Sequence, residues 1–252
     1  MIEQSCVNLH SNTLQLSFKD SFRQISISLG TKYIPGKVWS IISRTADLAT
    51  LNFKKSVITN AIIFEQYLVI AIMSSVGIIL YFSVQVYQVF LLSVILAIVS
   101  SVIWRQSYSK ITMLLMCLFR KYRKLPNEFI PKTETATTTK LIFIHIKFFL
   151  NLIAMAFPVV FLTLMLQDSI STIDLIKIAG AFFISITAGF LAIFAPGGLG
   201  AREATFIALT LPLLEPDVSA LIILLHRISN VFIDCFLSGI FLSSSVISSL
   251  RK

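Results

Sequence analysis

Long apolar stretches separated by short polar segments dominate the sequence. About 20 consecutive apolar residues are needed to cross the ~30 Å hydrocarbon core of a membrane as a helix. Five stretches approach or exceed this length, at 61–82, 87–104, 141–166, 175–194 and 218–245. The pattern predicts an all-α fold, a polytopic helical bundle that forms a single membrane domain over residues 1–252.

The polar segments divide this domain into four parts. The N-terminal part is predicted to contain a short helix over 20–30 and a second helical stretch from Trp39 to about Leu48. The parts are an N-terminal polar segment with a first Pro-Gly element (1–58), a helical hairpin (59–104), a basic loop (105–140), and helices with a Pro-Gly-Gly element (141–248).

The apolar pattern is broken at 195–203, where the chain reads Ala-Pro-Gly-Gly-Leu-Gly-Ala-Arg-Glu. Proline lacks a backbone donor and glycine loses the most backbone entropy, so this composition disfavours a continuous helix. The apolar stretch that follows, 203–214, is too short to span alone and predicts a half-helix that starts at mid-depth. Irregular backbone inside a membrane persists only when it is buried in protein or lines a wet cavity. The break is therefore a candidate functional site.

An earlier stretch repeats this pattern. Tyr-Ile-Pro-Gly-Lys-Val at 33–38 matches Phe-Ala-Pro-Gly-Gly-Leu at 194–199 in the order aromatic, apolar, Pro, Gly, variable, aliphatic. Interrupted segments at corresponding positions of two halves indicate a transporter site at the repeat interface, formed by two broken or re-entrant helices. Chance is the alternative, because Pro-Gly is a common dipeptide.

Composition and charge support the membrane interpretation. The chain of 252 residues is 56% hydrophobic and only 13% charged, whereas a soluble domain carries about 25% charged residues. The net charge of +9 is concentrated in the basic loop 105–140, which the positive-inside rule assigns to the cytoplasmic side. Because no zinc-finger, helix-turn-helix or RNA-binding signature accompanies this charge, no nucleic-acid partner is expected.

Basic groups and helix starts together favour an anionic ligand. A helix N-terminus offers unpaired N–H groups and about half a positive charge, and arginine forks suit phosphate oxygens. The alternative is that Lys37 and Arg44 reach out to the membrane interface while Arg202 caps a local turn. The predicted substrate-binding residues are Lys37, Arg44, Gly197, Gly198, Gly200, Arg202 and Glu203.

The last span carries a polar stripe. Arg227, Asn230 and Asp234 lie within roughly 60° of one another on a helix, and an arginine at mid-membrane requires a partner. Glu65 is the predicted partner across the bundle, with Asp234 or Glu203 as alternatives. These charges either line the lipid path or form a buried pair that fixes only the packing. His226 is expected to be a packing residue.

The two Pro-Gly stretches resemble motifs of a known family. Residues 195–204 followed by Arg227, and 33–39 followed by Arg44 and Glu65, are similar to the lysylphosphatidylglycerol synthase transmembrane (flippase-like) family over about 20–248. The resemblance implies a polytopic helical fold and lipid translocation. Some members of that family are fused to a soluble synthetase, and we expect none in this chain. We also expect the helices that usually precede the first element to be missing, as in a truncated start.

We expect a flippase-like protein of the inner membrane that binds, and translocates, an anionic phospholipid or lipid-linked saccharide. The alternative is an accessory lipid-binding subunit that recruits a cell-envelope glycosyltransferase or lipid-modifying enzyme through loop 105–140. A membrane transferase with Glu65 or Glu203 as base ranks last, since no nucleophile or metal motif accompanies either carboxylate. We therefore expect no enzymatic activity, no metal and no cofactor.

Overall fold

A computed structural model of the chain describes residues 17–31, 38–50, 55–82, 138–192 and 195–250. Within these ranges the fold contains helices and no strands, which confirms the all-α prediction there. The helices are α1 (Phe18–Thr31), α2 (Val38–Thr50), α3 (Lys55–Phe82), α4 (Thr138–Leu166), α5 (Thr172–Leu191), the short 3₁₀ turn η1 (Pro196–Gly198), α6 (Ala201–Thr210) and α7 (Pro216–Leu250).

Three of these helices are long and apolar enough to cross a membrane. The apolar segments are Ile146–Leu166 in α4, Thr172–Leu191 in α5 and Pro216–Gly239 in α7, and Val69–Phe82 in α3 is a shorter apolar stretch. These lengths are compatible with a membrane protein. The predicted span 87–104 and loop 105–140, apart from residues 138–140 at the start of α4, lie outside the described residues.

The central helix of the bundle is α5. It packs against α3, α4 and α6, while α7 packs against α1, α4 and α6. Half of the apolar segment of α5 (50%) is buried, compared with 18% for α4 and 22% for α7. Phe182 of α5, Phe206 of α6 and Ile222 of α7 are fully buried in the same core. The short helix α6 is thus held between α5 and α7.

Two glycines bring α3 and α5 into backbone contact. A Cβ atom added to Gly180 would lie 2.5 Å from the backbone nitrogen of Tyr81 and 2.8 Å from the carbonyl oxygen of Gly77. Only a residue without a side chain fits such a contact, and small residues at helix crossings are common in membrane bundles. This close approach aligns α3 with the helix that leads into the Pro-Gly-Gly turn.

Large apolar side chains cover the outer faces of α4 and α7. Their spacing follows the helical period, so each helix presents a continuous apolar stripe outward. A soluble monomer rarely exposes patches of this kind, whereas hydrocarbon chains solvate them without cost. The exposed residues include Ile146, Leu150, Ile153, Phe157 and Phe161 on α4, and Leu221, Leu224, Ile228, Phe232 and Phe236 on α7.

Helix boundaries near the turn differ from the sequence prediction. Helix α5 ends at Leu191, three residues early, and α6 runs over Ala201–Thr210 rather than 203–214. It begins earlier because Gly200 serves as its N-cap. It ends earlier because the chain turns at residues 211–214, which contain Pro212. A proline also begins α7, at a position where the missing N–H is not needed.

Polar contacts fasten the N-terminal helices. Asp47 of α2 pairs with Arg23 of α1 at 3.0 Å and accepts a hydrogen bond from the Gln24 side chain. Two residues after Gln24, the Ser26 carbonyl of α1 accepts a hydrogen bond from the Ser238 hydroxyl of α7 at 3.1 Å. These contacts link α1 to both α2 and α7 and fix the position of α2 in the bundle.

Candidate functional site

The turn between α5 and α6 has a backbone conformation that favours glycine at three positions. Gly197, Gly198 and Gly200 have φ angles of 60°, 72° and 83°, a region that residues with a Cβ atom rarely occupy. Gly198 also packs directly on α5, where an added Cβ would lie 2.7 Å from the Gly189 carbonyl oxygen. The sequence Pro-Gly-Gly-Leu-Gly therefore forms a compact turn pressed against α5.

The start of α6 is open on one side. Its N-cap, Gly200, has no side chain to accept a hydrogen bond from the first-turn amides. An added Cβ at Gly200 would meet no atom of the described residues within 4 Å, so there is space beside this position in that part of the chain. The Glu203 carboxylate reaches back and accepts the Gly200 N–H at 2.7 Å through Oε2. A side chain of α6 itself thus caps one of its N-terminal donors.

Arg227 joins this turn to α7. Its Nη1 donates to Oε1 of Glu203, and its Nη2 donates to the Gly197 carbonyl oxygen at 3.2 Å. The guanidinium therefore bridges a carboxylate at the start of α6 and a carbonyl within the turn. Both side chains are largely buried, Arg227 with 14% and Glu203 with 15% of its surface exposed.

The predicted pairing of Glu65 with Arg227 is wrong. Glu65 of α3 instead pairs with Arg44 of α2, with Nη2–Oε2 at 2.8 Å and Nη1–Oε1 at 3.5 Å. Arg227 pairs with Glu203, one of the two alternatives. The reason is proximity: α2 packs against α3, whereas the turn brings Glu203 onto α7.

Arg202 lies on the other side of the turn in contact with aromatic and imidazole rings. Its guanidinium carbon is 5.2 Å from the centroid of the Phe182 ring, and its Nη2 is 3.3 Å from Nδ1 of His226. Because a guanidinium only donates, Nδ1 is the acceptor in this contact. Asn230 donates to the His226 carbonyl at 2.8 Å, which places it beside the same ring.

His226 is therefore a member of the site that the sequence interpretation missed. It does pack, since its ring meets Phe182 edge-on at 4.8 Å and only 5% of the residue is exposed. It also contacts Arg202 and Asn230. The signal was its position four residues before Asn230, which puts both side chains on one helix face.

The predicted residues thus fall into two groups, each held by its own ion pair. The group at the turn contains Gly197, Gly198, Gly200, Arg202, Glu203, Arg227 and Asn230. Asp234 is buried on α7, seven residues and therefore about 10 Å beyond Arg227. The other group is Arg44 with Glu65. Lys37 and the first Pro-Gly dipeptide lie outside the described residues.

Three further polar residues fasten the far end of α6. The Tyr81 hydroxyl of α3 donates to the Leu209 carbonyl at 2.9 Å. Thr210 donates to Ser219 of α7, also at 2.9 Å, and both residues are fully buried. Their hydroxyl groups lie in otherwise apolar sequence, and this is the feature from which such contacts could have been predicted. They hold α6 to α3 and α7 at the end opposite the glycine turn.

Comparison of the chain with family models, with curated proteins and with solved structures finds no match. The resemblance to the flippase-like family therefore depends on the residues of the two Pro-Gly stretches alone.

Proposed function

We propose that the protein holds an anionic phospholipid or lipid-linked saccharide by its phosphate group at the turn 195–203, and moves it across the inner membrane in the manner of a flippase. In this proposal α5, the turn and α6 form a re-entrant element. Loop 105–140 lies on the cytoplasmic side, in keeping with its basic residues.

The observation that carries the proposal is the start of α6, where the N-cap residue has no side chain to accept from the first-turn amides. Gly200 offers no side-chain acceptor, open space adjoins it, and the guanidinium groups of Arg202 and Arg227 flank the turn. A helix N-terminus with arginine beside it is a favourable environment for phosphate oxygens. A glycine turn also lets a ligand approach the backbone closely.

The depth of the turn also supports a lipid ligand. Arg227 lies 11 residues after Pro216, the first residue of α7, which corresponds to about 16 Å along the helix axis. The hydrocarbon core is ~30 Å thick, so a membrane-crossing α7 would place Arg227 within it. Helix α6, with ten residues, covers only about 15 Å, whereas α5, with 20 residues, covers about 30 Å. In this proposal the turn therefore lies towards the side of the core at which α5 ends.

Lipid mass spectrometry of the purified protein tests the binding step. We expect wild-type protein to retain an anionic lipid and Arg202→Ala to retain much less of it. Lys177→Ala is the matched control, because Lys177 is a cation on α5 that pairs with Asp174 near the start of that helix. If Arg202→Ala and Lys177→Ala retain the same lipid in equal amounts, the head-group role of the turn is wrong.

A second candidate function is an accessory lipid-binding subunit. It is favoured by the attachment of α6 at both ends, through Glu203–Arg227 at the turn and through Tyr81 and Thr210 at the far end. Such attachment suits a fixed lipid site better than a moving gate. The subunit would then recruit an envelope glycosyltransferase or lipid-modifying enzyme.

A translocation assay separates these two candidates. Purified protein is reconstituted in liposomes with fluorescent phosphatidylglycerol, and quenching from outside reports transbilayer movement. Movement without any partner protein supports the flippase. Lipid retention without movement supports the accessory subunit instead.

We propose a non-enzymatic role for the two carboxylates that suggested a base. Glu65 and Glu203 are each hydrogen-bonded to an arginine in the structure. In this proposal each carboxylate serves as the partner of an arginine and not as a base. Formation of a new product from phosphatidylglycerol by the purified protein would contradict this part of the proposal.

A further inference from the structure

The turn already binds an anion, and that anion belongs to the protein. Both oxygens of the Glu203 carboxylate are engaged, Oε2 by the Gly200 N–H and Oε1 by Arg227 Nη1. These donors are a backbone amide at a helix start and a guanidinium. A lipid phosphate would use the same two kinds of donor.

We propose that Glu203 is a built-in competitor for the lipid phosphate, an inference that depends on the proposed function of the turn. Head-group binding is then an exchange: the phosphate takes the Gly200 amide and Arg227, and the Glu203 carboxylate swings towards the open side of the turn. The ligand class is an anion with several acceptor oxygens, since it must satisfy donors that Glu203 satisfies in its absence.

The surroundings of Glu203 allow this exchange without unfolding of α6. Phe206 is fully buried, and the Tyr81 and Thr210 hydrogen bonds hold the far end of the helix. Arg227 keeps a second contact, to the Gly197 carbonyl, while its Nη1 changes partner. The Glu203 side chain has 15% of its surface exposed, so the bundle does not enclose it completely.

Exchange also explains physically how the site could release its ligand. A transport site must bind a head group strongly enough to desolvate it and weakly enough to let it leave. A carboxylate tethered beside the donors lowers the net affinity for any phosphate, because each binding event breaks a charge-assisted hydrogen bond. Removal of this carboxylate should therefore strengthen lipid binding, contrary to the usual effect of a change in a binding site.

The test is a titration of purified protein, in neutral detergent, with a short-chain phosphatidylglycerol. We expect Glu203→Gln to bind this probe about tenfold more tightly than wild type, because exchange no longer breaks an ion pair. The amide oxygen of glutamine can still accept the Gly200 N–H, so the turn is retained. Glu203→Asp keeps the charge on a shorter side chain that withdraws from Arg227, and it should also bind more tightly.

Asp174→Asn is the matched control. Asp174 occupies the same third position of α5, where it accepts from the N-cap residue Ser171 at 2.7 Å, and it lies on the helix end remote from the turn. This variant should bind the probe as wild type does. A gain equal to that of Glu203→Gln would overturn the inference, because it would reflect general loosening.

The two proposals fail in different ways. If Glu203→Gln and Glu203→Asp bind the probe no more tightly than wild type while Arg202→Ala loses binding, Glu203 is not a competitor and the turn remains the lipid site. If Arg202→Ala binds as tightly as wild type, the proposed function of the turn fails with it. Should Glu203→Gln not fold, Glu203→Asp alone decides between these results.

Discussion

Each of the two Pro-Gly sequences is followed by an ion pair between helices. The arginine comes before the glutamate along the chain in the first pair and after it in the second. After the first, Arg44 of α2 pairs with Glu65 of α3. After the second, Glu203 of α6 pairs with Arg227 of α7. In each case the helix that comes after the Pro-Gly sequence is joined to the next helix of the chain.

The two pairs differ in what surrounds them. Arg44 lies in the middle of α2 and has only 3% of its side chain exposed. Glu203 lies in the first turn of α6, caps a backbone amide, and faces an arginine that also holds the Gly197 carbonyl. The first pair is placed to hold helices together. The second is placed where a carboxylate and a ligand anion would compete for the same donors.

Loss of the first pair should have the largest effect on stability. Glu65→Ala removes the carboxylate that contacts the buried Arg44 guanidinium, and breaking a buried ion pair costs about 3–5 kcal/mol. Thermal unfolding in detergent should show a strongly lowered midpoint. Glu203→Ala should lower it less, because that pair is less deeply buried. A larger loss for Glu203→Ala would reverse the assignment of the two pairs.

The second-largest loss of stability should follow from a change in the glycine turn. Gly198→Ala introduces a Cβ 2.7 Å from the Gly189 carbonyl oxygen at a φ of 72°, and overpacking of this kind costs about 1–3 kcal/mol. The turn must shift away from α5, so the Arg227 contact with Gly197 should weaken as well. Unfolding midpoints and lipid retention should both fall.

The control for this change is Gly239→Ala. Gly239 is an exposed residue of α7, and an added Cβ there would meet no atom within 4 Å in the part of the chain that the structure describes. It should leave the midpoint and lipid retention close to wild type. Equal losses for the two alanine variants would show that the turn is not packed as described.

Exchanging the two charged residues within each pair should give a smaller difference between the pairs, measured as the free energy of unfolding that is recovered. Arg44→Glu with Glu65→Arg should recover most of the stability that either single change loses, because both residues lie within helices. Glu203→Arg with Arg227→Glu should recover less, by about 1 kcal/mol, since it puts a cation at a helix N-terminus. It also turns a carboxylate towards the Gly197 carbonyl, which cannot donate. Equal recovery at both pairs would contradict the proposed difference between them.

Much of the fold follows from the apolar pattern. The predicted spans 141–166, 175–194 and 218–245 correspond to α4, α5 and α7, because long apolar runs have few alternatives to a membrane-spanning helix. The boundaries at the turn were less predictable, since they depend on Gly200 as a cap and on the close contact of Gly198 with α5.

The partners within the ion pairs could not be determined from the sequence. Glu65 follows Pro35 by 30 residues and Arg227 follows Pro196 by 31, and Glu65 was predicted as the partner that a membrane arginine requires. In the structure these residues hold equivalent places, and each has its partner within its own half. Pairing depends on which helices pack together, and charge spacing alone does not determine this.

The central claim is that a lipid head group lies at the turn 195–203, and photolabelling tests it most directly. Wild-type protein in nanodiscs would be irradiated with phosphatidylglycerol that carries a photoreactive group in its head group, and the labelled residues mapped by peptide mass spectrometry. An analogue labelled in its acyl chain should mark the exposed faces of α4 and α7. We predict head-group labelling within 195–203 and near Arg227. Labelling that is absent there and found instead around Arg44 in α2 would contradict the account.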